Sequence, residues 1–534
     1  MNNKKSFKLS LMSLALMSSC LTTPMVQAGE RESLEQLRGT TVNLINLLVQ
    51  EGVLSKDKAE GLLKQAAQDA ARSVEKLADS GEADAKSDGK AVRVQYVPEH
   101  IKNEMREEIK KDVMAKLNYK AGERLGLPDW IDRIQWEGDI RLRYEKDVFP
   151  LGNVSPQYLP QGMEDITNTS ENRDRWRVRA RLGAKLKISD YVTGGIRFTT
   201  GNAADPISPN QTLGDNYQTS SKFNFGLDRA YLKITPVSWA SVSGGRIENP
   251  WLGTDLVWDP DLAFDGAVAN VRPKFGDNFT AFATVGAFPI QEVQTTKDST
   301  LTSGPVAARD KWLYGAQVGF EWKSPDSASF KLGLAYYDFS NVQGLANPST
   351  GSHIYDLTAR QLHQKGNTVF NIDDINGGSK WGLASQFREV NLTGVLDIAN
   401  FNPVHVVLTG DYVKNIGFNR RQVQANVDSS LSDSPVGGDT AWMVKLQVGM
   451  PETYQRYDWN AFAAYKRLES NSVMDAYTDS DFHLGGTNTK GWLVGGNFGV
   501  DKNTWLTLRW FSADVIAGPA YSADVLLLDL NAKF

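Results

Sequence analysis

From Arg133 to the end of the chain, hydrophobic and polar residues alternate with period two, and the clearest case is Arg175 to Ile188. There Trp176, Val178, Ala180, Leu182, Ala184, Leu186 and Ile188 interleave with Arg175, Arg177, Arg179, Arg181, Gly183, Lys185 and Lys187. Successive side chains of a β-strand point to opposite faces, so this segment carries one oily face and one cationic face. A strand of about fourteen residues can cross a bilayer at a tilt, and an apolar row opposite a charged row suits a barrel with lipid outside and water inside.

The same period predicts strands at 134–144, 176–188, 192–200, 223–234, 239–247, 262–271, 279–288, 312–322, 330–339, 387–398, 404–413, 441–448, 457–468, 491–500, 504–511 and 521–534. That is about sixteen, within two. Short connections (189–190, 235–238, 272–278, 323–329, 399–403, 449–456, 501–503) alternate with longer polar ones (145–175, 201–222, 248–261, 289–311, 340–386, 414–440, 469–490) and a brief last one near 517–520. Short turns on one rim and long loops on the other characterise outer-membrane barrels, and an even count returns both ends to the periplasm. The connection at 340–386 is the longest and is a candidate to fold into the pore.

Aromatic spacing agrees with this reading. Trp312 and Trp322 share a face, and about ten residues at roughly 3.3 Å each, tilted by about 40°, give roughly 25 Å of height, the span between aromatic girdles. Trp136 and Tyr144 bracket the first strand in the same way. The last strand places Leu526, Leu528, Leu530, Ala532 and Phe534 on one face, and an apolar edge of this kind needs closure against another strand. Its terminal aromatic looks like the signature read by the barrel-assembly machinery.

Upstream the period is helical. Leu34, Leu37, Leu44, Ile45 and Leu48, then Leu62, Leu63, Ala66, Ala70, Val74 and Leu77, predict two amphipathic helices between 31 and about 78. A polar linker at 79–90 follows, then a third helix after Pro98. Lys4 and Lys5, the apolar stretch Leu9–Leu21 and Val26-Gln27-Ala28 form a secretory signal with cleavage expected after Ala28. The domains expected are therefore a signal peptide at 1–28, a helical, coiled-coil-like periplasmic region with linker at 29–127, and an outer-membrane barrel at 128–534. The fold class is an all-β transmembrane antiparallel β-barrel with an α-helical N-terminal extension.

Composition narrows the functions. Past the signal no apolar run reaches the length of a membrane helix. The sole cysteine, Cys20, lies within the signal, which leaves no disulfide chemistry to the mature chain. A net charge of -5 over 534 residues, with no basic face, gives no ground for nucleic-acid binding. The five histidines are scattered, and no nucleophile elbow or phosphate-cradling glycine loop is present, so neither catalysis nor a cofactor nor a metal centre is expected. Asp259-Pro260-Asp261 and Asp479-Ser480-Asp481 are weak candidates for Ca²⁺.

The stretch from Gly126 to Tyr144, GLPDWIDRIQWEGDIRLRY, is distinctive. With the arginine-rich second strand, Thr200-Gly201-Asn202, Asn210 to Gly214, Asp228 to Leu232 and Gly245 to Pro250, it resembles the Putative porin family of proteobacterial outer-membrane proteins, which carry a helical N-terminal region ahead of a barrel. The resemblance implies a diffusion channel of a Gram-negative outer membrane, a homotrimer as many porins are. It carries over no ligand residue.

The residues expected to line the pore and set its selectivity are Arg141, Arg143, Arg175, Arg177, Arg179, Arg181, Lys185 and Arg229. Clustered guanidiniums in a low-dielectric channel draw anions, whereas neutralisation by Glu137, Asp139 and loop carboxylates would merely stiffen the wall. Glu321, Asp397, Asp411 and Asp529 are candidates for an opposing acidic arc. The expected function is passive diffusion of small hydrophilic solutes through a partly cationic lumen. The alternatives are a solute-selective, anion-preferring channel and an adhesin or envelope tether built on a barrel. The expected partners are outer-membrane lipid and lipopolysaccharide, the assembly machinery through Phe534, and two further copies of the chain.

Overall fold

A computed structural model describes residues 131–534 apart from 164, 216–219, 294–306, 325–326 and 431. The signal, helices and linker expected upstream lie outside the described residues. Sixteen antiparallel strands form one closed barrel. They are β1 Ile134–Val148, β2 Arg173–Lys187, β3 Val192–Thr200, β4 Phe225–Val237, β5 Ala240–Glu248, β6 Ala263–Val271, β7 Phe279–Gln291, β8 Lys311–Lys323, β9 Ala328–Ser340, β10 Phe387–Phe401, β11 Val404–Asn415, β12 Thr440–Gly449, β13 Trp459–Leu468, β14 Thr489–Asp501, β15 Thr504–Val515 and β16 Ser522–Lys533. Each pairs with the next in sequence, and β16 returns to β1 with Asp139 opposite Lys533 and Val148 opposite Asp524. Closure leaves no unpaired edge to aggregate.

All sixteen expected strands are present. Several run further toward the rim of long loops, β1 through Glu145-Lys146-Asp147 and β15 to Val515. Beyond the bilayer both faces meet polar groups, so the ladder continues where the hydrophobic alternation has stopped.

The outer face is apolar. Trp136, Ile140, Leu142, Trp176, Leu182, Val318 and Trp322 are all exposed, and Trp312 stacks on Tyr314 at 5.8 Å between centroids. The chain end seals the seam. Phe534 N donates to Gly138 O at 3.0 Å and Gly138 N to Phe534 O at 3.1 Å. A Cβ on Gly138 would fall 2.3 Å from the Phe534 ring, so this glycine gives the terminal aromatic its place on the wall.

The period-two reading missed one helix, α1 Arg420–Ser429, within the connection 416–439. Asn419 caps it by accepting from Gln422 N at 3.2 Å, and its buried stripe is only Val423 and Val427, too short a signal beside the strands.

Candidate functional site

The register explains how the arginines come together. Arg141 lies opposite Arg179, Arg143 opposite Arg177, Asp139 opposite Arg181 and Glu145 opposite Arg175. Alternation with the exposed Ile140, Leu142 and Trp176 sends all of these to the inner face. Carboxylates sit between them. Arg175 pairs with Glu145, and at 3.3 Å with Asp147. Arg177 reaches Glu145 at 3.1 Å. Arg179 and Arg181 share Asp139 at 2.8 and 2.7 Å, and Asp261 at 3.2 and 2.8 Å. Arg143, fully buried, holds Asp529 at 2.7 Å and Asp481 at 2.8 Å. Arg141 donates to Asn210 at 2.5 Å. Lys185 pairs with Glu137 and Arg229 with Glu248, at 2.8 and 2.7 Å.

The acidic residues expected across the lumen, Glu321, Asp397, Asp411 and Asp529, are each engaged by near neighbours. Barrel closure puts Asp529 beside Arg143. Asp411 accepts from Thr254 at 2.6 Å and Asn391 at 2.5 Å, and Asp397 is bound to His405 at 2.8 Å. Two further carboxylates that face the ladder, Asp261 and Asp481, come from loops. They end the two acidic tripeptides weighed above for Ca²⁺, and the fold joins those tripeptides, with Asp259 accepting from Ser480 N at 3.1 Å. Guanidiniums occupy Asp261 and Asp481, which supply the charge a cation would.

The loop at 249–262, between β5 and β6, crosses the barrel. Its seat is a patch of inner-wall glycines. A Cβ on Gly315 would lie 2.6 Å from the Trp251 ring, and one on Gly333 3.1 Å from Leu252. Leu252 N donates to Gln317 Oε1 at 2.8 Å, and Gln317 Nε2 to Leu252 O at 2.7 Å. Trp251 and Trp258 pack edge-on against Tyr337 at 5.2 and 5.0 Å. Further along, Asp255 pairs with Lys466 of β13 at 2.7 Å, and Asp261 ends at the arginines of β2. One connection thus touches walls on several sides of the lumen, and its Trp251 and Trp258 belong to the barrel's main apolar core.

A second inward connection, 469–488, packs on the first. Asp259 N donates to Tyr477 O at 2.7 Å, and Asp479 shares Lys466 at 2.7 Å. Burial alone would raise the Asp481 carboxyl, but Arg143 and Arg509 outweigh it and hold Asp481 below the usual range. The long connection 341–386 joins this packing. Lys365 donates to the carbonyls of His483 and Gly485, and burial pushes its amine down to about 7.

Within 341–386, His353 Nδ1 lies 3.1 Å from Asp373 and 3.7 Å from Asp356, while Lys380 pairs with Asp356. This His–Asp–Asp grouping was not visible from sequence spacing.

What stays open is polar. A cavity of about 520 Å³ is lined by Arg173, Arg175 and Arg177 together with Asp165, Asp205 and His363. A second, of about 310 Å³, lies at the rim of short turns.

The sequence matches the model of the family described as Putative porin over residues 38–534. No curated protein matches the chain. Among solved structures, Pseudomonas putida OprB is 11% identical with a TM-score of 0.43 and covers 77% of this chain and 97% of its own. Salmonella typhi OmpF in complex with daunomycin is 10% identical at 0.39, covering 75% and 97%. The outer membrane channel DcaP of Acinetobacter baumannii is 10% identical at 0.37, covering 75% and 97%.

Proposed function

We infer how this channel works from the premise that the chain belongs to the Putative porin family. It is a porin of the outer membrane, and its reading as a passive pathway for small hydrophilic solutes rests on one observation. The inner face of β1 and β2 is a row of guanidiniums neutralised in place by Asp139, Glu145, Asp261 and Asp481, next to a polar cavity of about 520 Å³. Such a wall keeps water and small dipolar solutes in contact with fixed charge of both signs. It thereby favours hydrated passengers over apolar ones without binding any of them tightly.

Trp251, Trp258 and Tyr337 pack together and are buried, so at the level of the crossing loop passage follows the arginine side. The proposed selectivity residues are Arg141, Arg175, Arg177, Arg179 and Arg181, with Lys185 further along β2 and Arg229 on β4, while Arg143, fully buried, contributes by holding Asp481 and Asp529 in place. Short turns face the periplasm in this reading, with residues 1–28 removed as a signal and 29–127 a periplasmic helical region. Phe534 marks the chain for the assembly machinery, lipopolysaccharide surrounds the barrel, and three copies associate.

Liposome swelling with sugars of increasing size tests the function. A smooth decline of rate with solute size is expected. Saturable uptake of one solute class would replace the general pore with a selective one, and sealed barrels without conductance steps would favour the tether. Cross-linking of the detergent-solubilised full chain tests the trimer, which a ladder ending at one copy would exclude.

A further inference from the structure

Beneath the crossing loop, the cavity of about 310 Å³ at the rim of short turns has a charge balance unlike that of the arginine row. Its charged lining is Lys233, Arg272, Lys331 and Glu321. Glu321 is almost buried, and three cations converge on it, Arg272 at 3.2 Å, Lys323 at 3.2 Å and Lys331 at 3.4 Å. One carboxylate cannot balance that set. The side chains of Arg272, Lys323 and Lys331 stay 59%, 62% and 43% exposed, so their remaining hydrogen-bond donors meet water rather than protein.

The arginine row carries a carboxylate for nearly every guanidinium, whereas this cavity keeps a surplus of positive charge with open donors. Phe282 lies under the Arg272 guanidinium at 5.6 Å and limits its swing. Leu252 and Gln317, clasped to each other, line the cavity as well.

We propose that this cavity is an oxyanion subsite, which takes a phosphate, sulfate or carboxylate group of a small solute through Arg272, Lys331 and Lys233. Arginine offers a fork that matches two oxygens of such a group, and the lysines add point charge. Because Lys331 and Glu321 are paired on the inner face, the ligand is a solute in the lumen and not a lipid headgroup. Within the porin reading, on which this inference rests, the subsite makes the short-turn mouth a holding point for anions. The site is open to water, so binding is weak and exchange fast, as a conducting pathway requires.

The test is titration calorimetry of inorganic phosphate into the full chain in a maltoside detergent, with glucose as the neutral control. Saturable phosphate binding is expected, weakened at least tenfold in R272Q/K331Q, strengthened in E321Q, and absent for glucose. Equal phosphate binding by wild type and R272Q/K331Q, or no binding by wild type, overturns the subsite. Circular dichroism of R272Q/K331Q confirms that the barrel has formed. Bilayer conductance of the same samples reports separately on the pore: conducting channels that do not bind phosphate sink the subsite alone, and phosphate binding without conductance sinks the pore alone.

Discussion

The Lys466 ammonium lies 2.7 Å from the Asp255 carboxylate, joining strand β13 to the middle of the loop that crosses the lumen. The same ammonium holds Asp479 at 2.7 Å, so one cation fastens both inward connections. Removing one member of a buried ion pair leaves the others uncompensated, at a cost on the order of 3 kcal/mol. Lys466→Met is therefore expected to raise current noise and mean conductance, and to speed hydrogen exchange at Asp259, whose amide bonds Tyr477. Unchanged exchange there would show that the loop is held without Lys466.

The glycine seat makes a prediction about packing. Gly315 lets the Trp251 ring lie against the wall, and a side chain at that position must displace it. Gly315→Val is expected to weaken loop docking by about 1–3 kcal/mol while leaving the barrel assembled, because the ladder at this position is unchanged. Limited proteolysis measures the effect. Cleavage within 249–262 should accelerate, and resistance equal to wild type would remove Gly315 from the seat.

Charge reversal at the arginine row tests its part in selectivity. Substituting Arg177 and Arg179 by glutamate removes two cations and takes one of two guanidinium partners from each of Asp261 and Glu145, which keep Arg181 and Arg175. Reversal potentials across planar bilayers should move toward cations. No movement would take the row out of the mechanism.

Lys365 predicts a pH dependence. Burial lowers its amine from 10.5 to about 7, and Asp475 opposes that only in part. Its neighbour His483 is pushed well below its ordinary value by burial and by Lys365, and stays neutral throughout. Between about pH 7 and 10.5 the unfolded segment binds more protons at Lys365 than the folded one. The docking of 362–367 on 483–487 therefore strengthens as pH rises through that window and is weakest below it. Amide protection of Thr487, which donates to Lys365 O, should, after correction for intrinsic exchange, increase across the window in wild type and be flat in Lys365→Met. A parallel rise in both would assign the effect elsewhere.

Spin labels at Val178 and Arg177 test the membrane orientation of the wall. Oxygen in the bilayer should relax the label at 178 more strongly, and a water-soluble paramagnetic complex the label at 177. Equal accessibility would contradict a lipid-facing Val178.

The strands, their faces and the order in which they pair were legible in the sequence, because each depends on residues two apart or on one short turn. Trp176 and Arg177 alone announce which side meets lipid, and the short turns leave neighbouring strands little choice but to pair. The interior was not legible, because it depends on residues far apart in the chain. Nothing local to Asp529 says that closure will bring it to Arg143, and nothing local to Asp255 names Lys466 as its partner. The connection at 248–261 reads as an ordinary polar loop, since the glycines that receive it, Gly315 and Gly333, lie on strands several places along the barrel. Local alternation determined the wall, and only long-range charge pairing and packing decided what fills it.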